Sequence, residues 1–234
     1  ETSLKATEKV LFTPSTNKVV YFGKLNDRNI KIGNEGDGAW AYVTIDSLDA
    51  PSFQWQGFTK KDIYGINTKT GERRLIHKNW KGSLISLSAN GNKIVYYDEQ
   101  VKKYYSYDFI TNKKQVFAKD IKFPLFDEEN DVPDDPNAYG IAKWMNDHRH
   151  LIVYDKFDLW LVDAEAFEPS VLLTNGRKSS IVYRFIETNE ERKAIAFKDA
   201  LLLKGYNEIS KSESISYFDI AQKQINLIQS FNMH

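Results

Sequence analysis

A short pattern of strands and turns recurs along the chain, and this repeat restricts the possible folds more than any other sequence feature. Each copy begins with a polar turn, followed by a run of β-branched and aromatic residues that is typical of a buried strand. The four runs lie at residues 18–22, 93–98, 150–155 and 193–197. The repeat therefore predicts several similar β-units in succession.

A second predicted strand follows each of these runs and ends in Asn or Asp, a residue type that bonds nearby backbone and starts a turn. The four strand ends are Asn67, Asp108, Asp163 and Asp219, which lie 41, 55 and 56 residues apart. Further short strands are predicted at 74–77, 114–117, 170–173 and 224–228, and opening strands at 9–12, 84–87, 140–144 and 181–187. A period of about 40 residues with insertions of about 15 is the signature of four-stranded β-propeller blades.

The sequence thus predicts an all-β propeller with four blades, at residues 1–78, 79–121, 122–175 and 176–234. Residues 23–61 are interpreted as a long insertion in the first blade and residues 200–213 as an insertion in the fourth. Closed propellers have about four to eight blades, so the chain is either a small ring or an arc of a larger propeller. We expect the arc, and we expect the chain, which begins at Glu1 without a Met, to be part of a longer protein.

Composition excludes several functions. Lys+Arg and Asp+Glu both number 32, so the formal net charge is zero, and the basic residues form no run. Both observations argue against a nucleic-acid partner. Cysteine is absent, which removes disulfides and thiolate chemistry. No stretch approaches the roughly 18 apolar residues of a membrane span, so no membrane insertion is expected. Nothing in the sequence calls for a cofactor.

No catalytic centre is predicted within the chain. The Gly-x-Ser-x-Gly turn that carries the nucleophile of α/β-hydrolases does not occur. His148 and His150 flank a strand entry beside Asp147, and we interpret them as surface turn residues because a metal site would need a further ligand. Asp155 and Asp158 flank a turn, where capping explains them better than the acid pair of a glycosidase.

An acidic loop at residues 127–136 concentrates six carboxylates. Asp127, Asp131 and Asp134 are weak candidates for calcium ligands, but the loop lacks the order and the central Gly of an EF-hand. We expect the loop to hold no metal, and its side chains to be solvated or paired with nearby Lys and Arg.

Two tryptophans in the long insertion, Trp40 and Trp55, are candidates for an exposed substrate or partner surface. Trp144 and Trp160 fall inside repeat strands, and we expect them to pack in the core.

Residues 127–144 (DEENDVPDDPNAYGIAKW), 154–160 (YDKFDLW) and 173–178 (LTNGRK) resemble the propeller of prolyl oligopeptidase-family serine peptidases. The similarity is to the dipeptidyl peptidase IV and acylaminoacyl peptidase relatives of Bacteroidetes-type bacteria. It continues at 183–185 and 201–208 and covers the chain from about residue 18 onward.

The resemblance implies a propeller that lies over an α/β-hydrolase domain, restricts access to it and helps position the peptide. That catalytic domain, which follows the propeller in the family, is absent from this chain, so no catalytic residue is carried over. The glutamate pair that reads a substrate N-terminus in dipeptidyl peptidases has no convincing equivalent, since its only local candidates, Glu128–Glu129 and Glu190–Glu191, lie in turn-like acidic segments.

The expected function is therefore a non-catalytic gating module of an exported or periplasmic peptidase. Its expected partners are a peptide substrate and a C-terminal hydrolase domain of the parent chain. Two alternatives stay open: a free-standing TolB-like propeller scaffold for protein–protein interaction, and a small propeller glycosidase.

Overall fold

Strands and turns make up the described part of the chain. The computed structural model describes residues 10–14, 17–21, 27–46 and 58–231. In these ranges the only helical elements are two short 3-10 helices, Asn34–Gly36 and Arg177–Ser179. No helix within them is long and apolar enough to cross a membrane. The predicted all-β class with four-stranded sheets is confirmed.

The first two strands pair with each other as an antiparallel hairpin. They are β1 (Val10–Thr13) and β2 (Lys18–Tyr21), with Leu11 opposite Val20 and Phe12 opposite Val19. Leu11 packs against the buried side chains of Val43 and Ile66. Phe12, on the opposite face, is 52% exposed.

The first four-stranded sheet is antiparallel and has its strands in chain order. They are β3 (Asp27–Ile32), β4 (Trp40–Asp46), β5 (Lys61–Asn67) and β6 (Arg73–Trp80). The interpretation of residues 23–61 as an insertion was wrong, because β3 and β4 come from it. Residues 40–44 are all buried, and a run that is buried on both faces belongs inside a sheet. The predicted strands at 9–12 and 18–22 form the separate hairpin instead.

The second sheet follows the predicted pattern closely. Its order is that of the chain: β7 (Ile85–Leu87), β8 (Lys93–Asp98), β9 (Lys103–Asp108) and β10 (Lys113–Val116). All four strands coincide with predicted ones.

The third sheet contains β11 (Ile141–Met145), β12 (His150–Tyr154), β13 (Leu159–Asp163) and β14 (Val171–Leu172), paired antiparallel. A fifth strand, β16 (Ala194–Ile195), pairs parallel with β11. The sequence assigned residues 193–197 to the fourth blade, which was wrong. Ile195 is 2% exposed and packs in one apolar cluster with Met145, so its burial holds this short strand on the third sheet.

The fourth sheet has the order β15 (Ile181–Phe185), β17 (Ala200–Asn207), β18 (Glu213–Asp219) and β19 (Gln224–Phe231), all antiparallel. The segment 200–213, interpreted as an insertion, supplies the second strand of this sheet. Leu201 and Leu203 alternate into the core there and are almost fully buried, as the two-residue period of a strand requires.

The chain divides into two compact units, residues 1–94 with 107–114, and residues 95–106 with 115–234. In the first, Val43 and Ile66 form a buried cluster with Leu11, Ile30, Ile32 and Tyr64 around it. In the second, a buried cluster joins the third and fourth sheets and includes Met145, Ile152, Leu159, Leu203 and Phe218. The blade limits at residues 78, 121 and 175 stay predictions.

Candidate functional site

The acidic loop of the second unit is ordered by its own hydrogen bonds. Phe126 and Ala138 form an isolated antiparallel bridge, and the Asp127 N–H donates to the Asn137 carbonyl at 2.8 Å. Within the loop, Asn130 Nδ2 donates to the carbonyl of Asp134 at 2.8 Å. These bonds close the loop into a defined shape and fix where its carboxylates lie.

The acidic side chains meet basic residues from other segments. Glu129 pairs with Lys156 Nζ at 2.7 Å, and the same ammonium lies 3.1 Å from Glu208. Glu128 Oε2 lies 3.7 Å from Arg177 Nη2. The prediction that these acids are solvated or pair with nearby Lys and Arg is confirmed for both glutamates. We call these five residues the charged cluster.

Lys156 is held in its charged form by this arrangement. The hydrogen bond to Glu129, supported by Glu208, raises the pKa of the Lys156 ammonium, although partial burial acts in the opposite direction. Glu129 itself is 70% exposed in its side chain, so this pair is open to solvent and to competing charges. An exposed pair of this kind contributes at most about 1 kcal/mol to stability.

Arg177 lies against two aromatic rings. Its guanidinium carbon is 4.2 Å from the ring centre of Phe123 and 4.9 Å from that of Phe157. Asp155 Oδ1 lies 3.5 Å from Nη2, beyond a good hydrogen bond. In the described residues, Nε and Nη2 are covered and have no hydrogen-bond acceptor. The rings and two carboxylates thus surround the guanidinium without satisfying the donors on Nε and Nη2.

Two buried aspartates hold the backbone next to the charged cluster. Asp155 accepts the N–H groups of Phe157 and Asp158 at 2.7 Å and the indole N–H of Trp160 at 2.9 Å. Asp158 accepts the Thr174 hydroxyl at 2.7 Å and backbone N–H groups at 176 and 177. The prediction of turn capping is confirmed for Asp155, whereas Asp158 bonds the distant segment 174–177 instead of the turn it flanks.

The other predicted metal candidates have local roles. Asp127 Oδ1 accepts the Glu129 N–H, and Asp134 Oδ1 accepts the Asp135 N–H. Across the described ranges, no group of three or more His, Cys, Asp or Glu could hold a metal ion, at Asp131 or elsewhere. A metal-free loop stays a prediction.

His150 is less exposed than predicted. His150 has a side chain only 12% exposed, with Nδ1 2.5 Å from Asp147 and Nε2 3.5 Å from Glu168. The edge of its ring also meets Phe197, at 5.7 Å between centres. Asp147, three residues away, contacts this ring together with Glu168 and Phe197, which are distant in sequence.

The prediction of Trp40 as an exposed binding surface was wrong. Trp40 is 5% exposed, stacks on Phe109 at 5.2 Å between ring centres, and has the Arg74 guanidinium carbon 4.4 Å from its ring centre. Its place at the start of β4 turns the indole inward. Trp55 lies outside the described residues. Trp144 is 3% exposed, in the core as predicted, whereas Trp160 is only partly buried.

The charged cluster was missed as a unit because its members come from four segments of the sequence. The available signal was indirect: the charges lie in separate polar turns, and only Lys156 is directly next to an aromatic residue, Phe157. Only the fold brings these segments together.

No protein-family model matches the sequence, and no curated protein matches it. Solved structures do. The chain is similar to dipeptidyl peptidase 4 from Porphyromonas gingivalis, with a TM-score of 0.54 and 9% identity over 98% of this chain and 39% of that one. A protein described as a dipeptidyl aminopeptidase IV from Bacteroides ovatus has a TM-score of 0.52 and 9% identity, over 94% of this chain and 40% of that one. An uncharacterized protein from Listeria monocytogenes has a TM-score of 0.50 and 12% identity, over 96% of this chain and 58% of that one.

At these identities the likeness shows the fold. The chain spans about two fifths of the length of the two peptidases.

Proposed function

We propose that the chain is the non-catalytic propeller module of an exported serine peptidase of the prolyl oligopeptidase family. In this role it restricts access to a hydrolase domain and helps position the peptide. One observation carries the proposal: segments that resemble this family, 127–144, 154–160, 173–178 and 201–208, supply all five residues of the charged cluster. Similarity to structures described as dipeptidyl peptidases agrees with it.

The cluster suits contact with an incoming chain better than a structural role. Its ion pairs are partly exposed, and such pairs exchange partners at little cost. A peptide carries both an ammonium and carbonyl groups, which could compete for Glu129 and for Lys156. We therefore assign the peptide contact to Glu129 and Lys156. The buried Asp155 and Asp158 instead hold the backbone next to the charged cluster.

The test uses the intact gene product. A fluorophosphonate should label it, and its sequence should contain a Gly-x-Ser-x-Gly segment beyond the propeller. If neither is found, the peptidase proposal is wrong and the scaffold alternative replaces it.

The role of the cluster is tested in the same intact protein. Glu129→Gln and Lys156→Gln should raise KM for peptides several-fold and leave kcat and the hydrolysis of a small ester unchanged, because the nucleophile lies elsewhere. Glu190→Gln, at an exposed glutamate far along the chain, is the matched control. Equal KM values in all four proteins would exclude the cluster from peptide contact.

A further inference from the structure

A pocket of about 410 Å³ opens on one face of the first sheet, and the described residues that line it all belong to the first unit. Binding pockets for small ligands typically measure about 300–1,000 Å³. The size alone admits a ligand of a few functional groups. The lining residues decide which chemistry fits.

The floor of the pocket is aromatic and buried. Tyr42, Thr44 and Trp80 lie there, with exposed fractions of 7%, 1% and 2%. Burial raises the pKa of the Tyr42 phenol, so that its hydroxyl stays a neutral donor. Within the described residues this hydroxyl has no hydrogen-bond partner. The floor thus offers apolar contact together with one free donor.

The rim is cationic. Lys31 and Lys61 both line the pocket, and none of the described lining residues is Asp or Glu. In the described ranges neither lysine forms an ion pair. Two acids lie close to Lys61 in the sheet: Asp62, which accepts the N–H of Asn79 at 2.8 Å, and Asp46, which is opposite Lys61 on β4 and has interactions of its own. Two ammonium groups without a carboxylate partner favour an anion.

Two irregularities in the sheet frame this pocket. The pairing of β3 with β4 shifts between Arg28 and Lys31, where Asn29 has a φ of 48°. The pairing of β5 with β6 shifts next to Lys61, where Asn79 has a φ of 55°. Bulges re-aim side chains and are frequent beside functional sites, and positive φ at a residue other than Gly has an energetic cost. Both distortions occur at the same pocket.

We propose that this pocket binds a carboxylate attached to an apolar body, with Lys31 and Lys61 on the carboxylate and Tyr42 and Trp80 against the apolar part. The chemistry is shared by a free carboxylic acid and by the C-terminus of a peptide. The proposal stands independently of the peptidase role.

The test measures binding of three probes to the whole chain by titration followed with amide NMR. The probes are 3-phenylpropionate, the peptide acetyl-Gly-Phe with a free carboxylate, and the same peptide as its C-terminal amide. At least one of the two carboxylate probes should bind and shift the backbone amide signals of residues near the pocket. The C-terminally amidated peptide should bind about tenfold more weakly, because it lacks the charge-assisted hydrogen bonds. Binding of phenylpropionate alone identifies the free acid, and binding of the peptide acid identifies a C-terminus.

Two variants decide whether the lysines are responsible. Lys61→Gln and Lys31→Gln should each weaken binding of the acid about tenfold. Lys113→Gln, at an exposed lysine on β10 that does not line the pocket, should leave it unchanged. Equal affinity for acid and amide, or affinity insensitive to both rim substitutions, overturns the proposal. No binding of either acid at about 10 mM, weaker than any specific site, does so as well.

Discussion

Replacing Asp163, the aspartate at the end of β13, tests how strongly a strand-ending carboxylate holds the turn that follows. Its side chain is fully buried and accepts five hydrogen bonds. Two come from Arg149, at 3.0 and 2.7 Å. Three come from the backbone N–H groups of Glu165, Phe167 and Glu168, at 2.8 to 3.0 Å. Asp163→Ala removes every one of these acceptors.

The expected cost is about 3–5 kcal/mol, the range for removing one partner of a buried ion pair. A sum of five charged hydrogen bonds at about 1.5–3 kcal/mol each would overestimate it. Arg149 keeps Glu168 at 2.9 Å, and water can reach part of the opened turn. Asp219→Ala is the matched control, because this aspartate ends β18 in the same way but is only half-buried and caps a single N–H, that of Gln222. Its loss should cost about 0.5–1.5 kcal/mol.

The effect should also depend on pH. Burial alone would raise the pKa of Asp163, but the hydrogen bonds from Arg149 and the backbone outweigh burial and hold the pKa far below its usual range. The stabilisation is therefore complete above the unfolded-state pKa of about 3.9 and is lost as pH falls toward the folded-state value. The difference between wild type and Asp163→Asn should shrink below about pH 4.

Urea unfolding followed by far-ultraviolet circular dichroism, with linear extrapolation to water, measures these free energies. Both substitutions lie in the second unit, so the same transition reports both. If Asp163→Ala costs no more than Asp219→Ala, or its effect is the same at pH 7 and pH 3, the reasoning from the hydrogen bonds is refuted.

Three further predictions concern the first unit, the acidic loop and catalysis. Trp40→Ala should destabilise the chain by about 3–5 kcal/mol, since it empties a buried site against Phe109, and Trp40→Phe should cost clearly less; equal and small effects in urea unfolding would contradict its burial. Calcium should leave the melting temperature unchanged, and a rise reversed by a chelator would reveal a site in loop 127–136. The purified chain should hydrolyse no chromogenic peptide, ester or glycoside, because it lacks the Gly-x-Ser-x-Gly turn; activity abolished by a fluorophosphonate would disprove this.

Local chemistry determined the turns. The strand-ending residues Asn67, Asp108, Asp163 and Asp219 all cap the following backbone, as their positions predicted. The strands themselves were recognisable wherever a β-branched and aromatic run lay between polar turns, as in the whole second sheet. Capping and the two-residue period depend on neighbours within a few positions, which a single sequence displays.

Tertiary structure alone decided which strands pair. Residues 40–46 and 200–207 have strand-like composition, but their pairing with other strands is what makes them β4 and β17. Pairing with β11 likewise places residues 194–195 in the third sheet. The same holds for the sites: Trp40 is buried because of Phe109, and Lys156 meets Glu129 and Glu208 across 27 and 52 residues of chain. Pairing and burial depend on segments distant in sequence, and each local pattern is compatible with several partners.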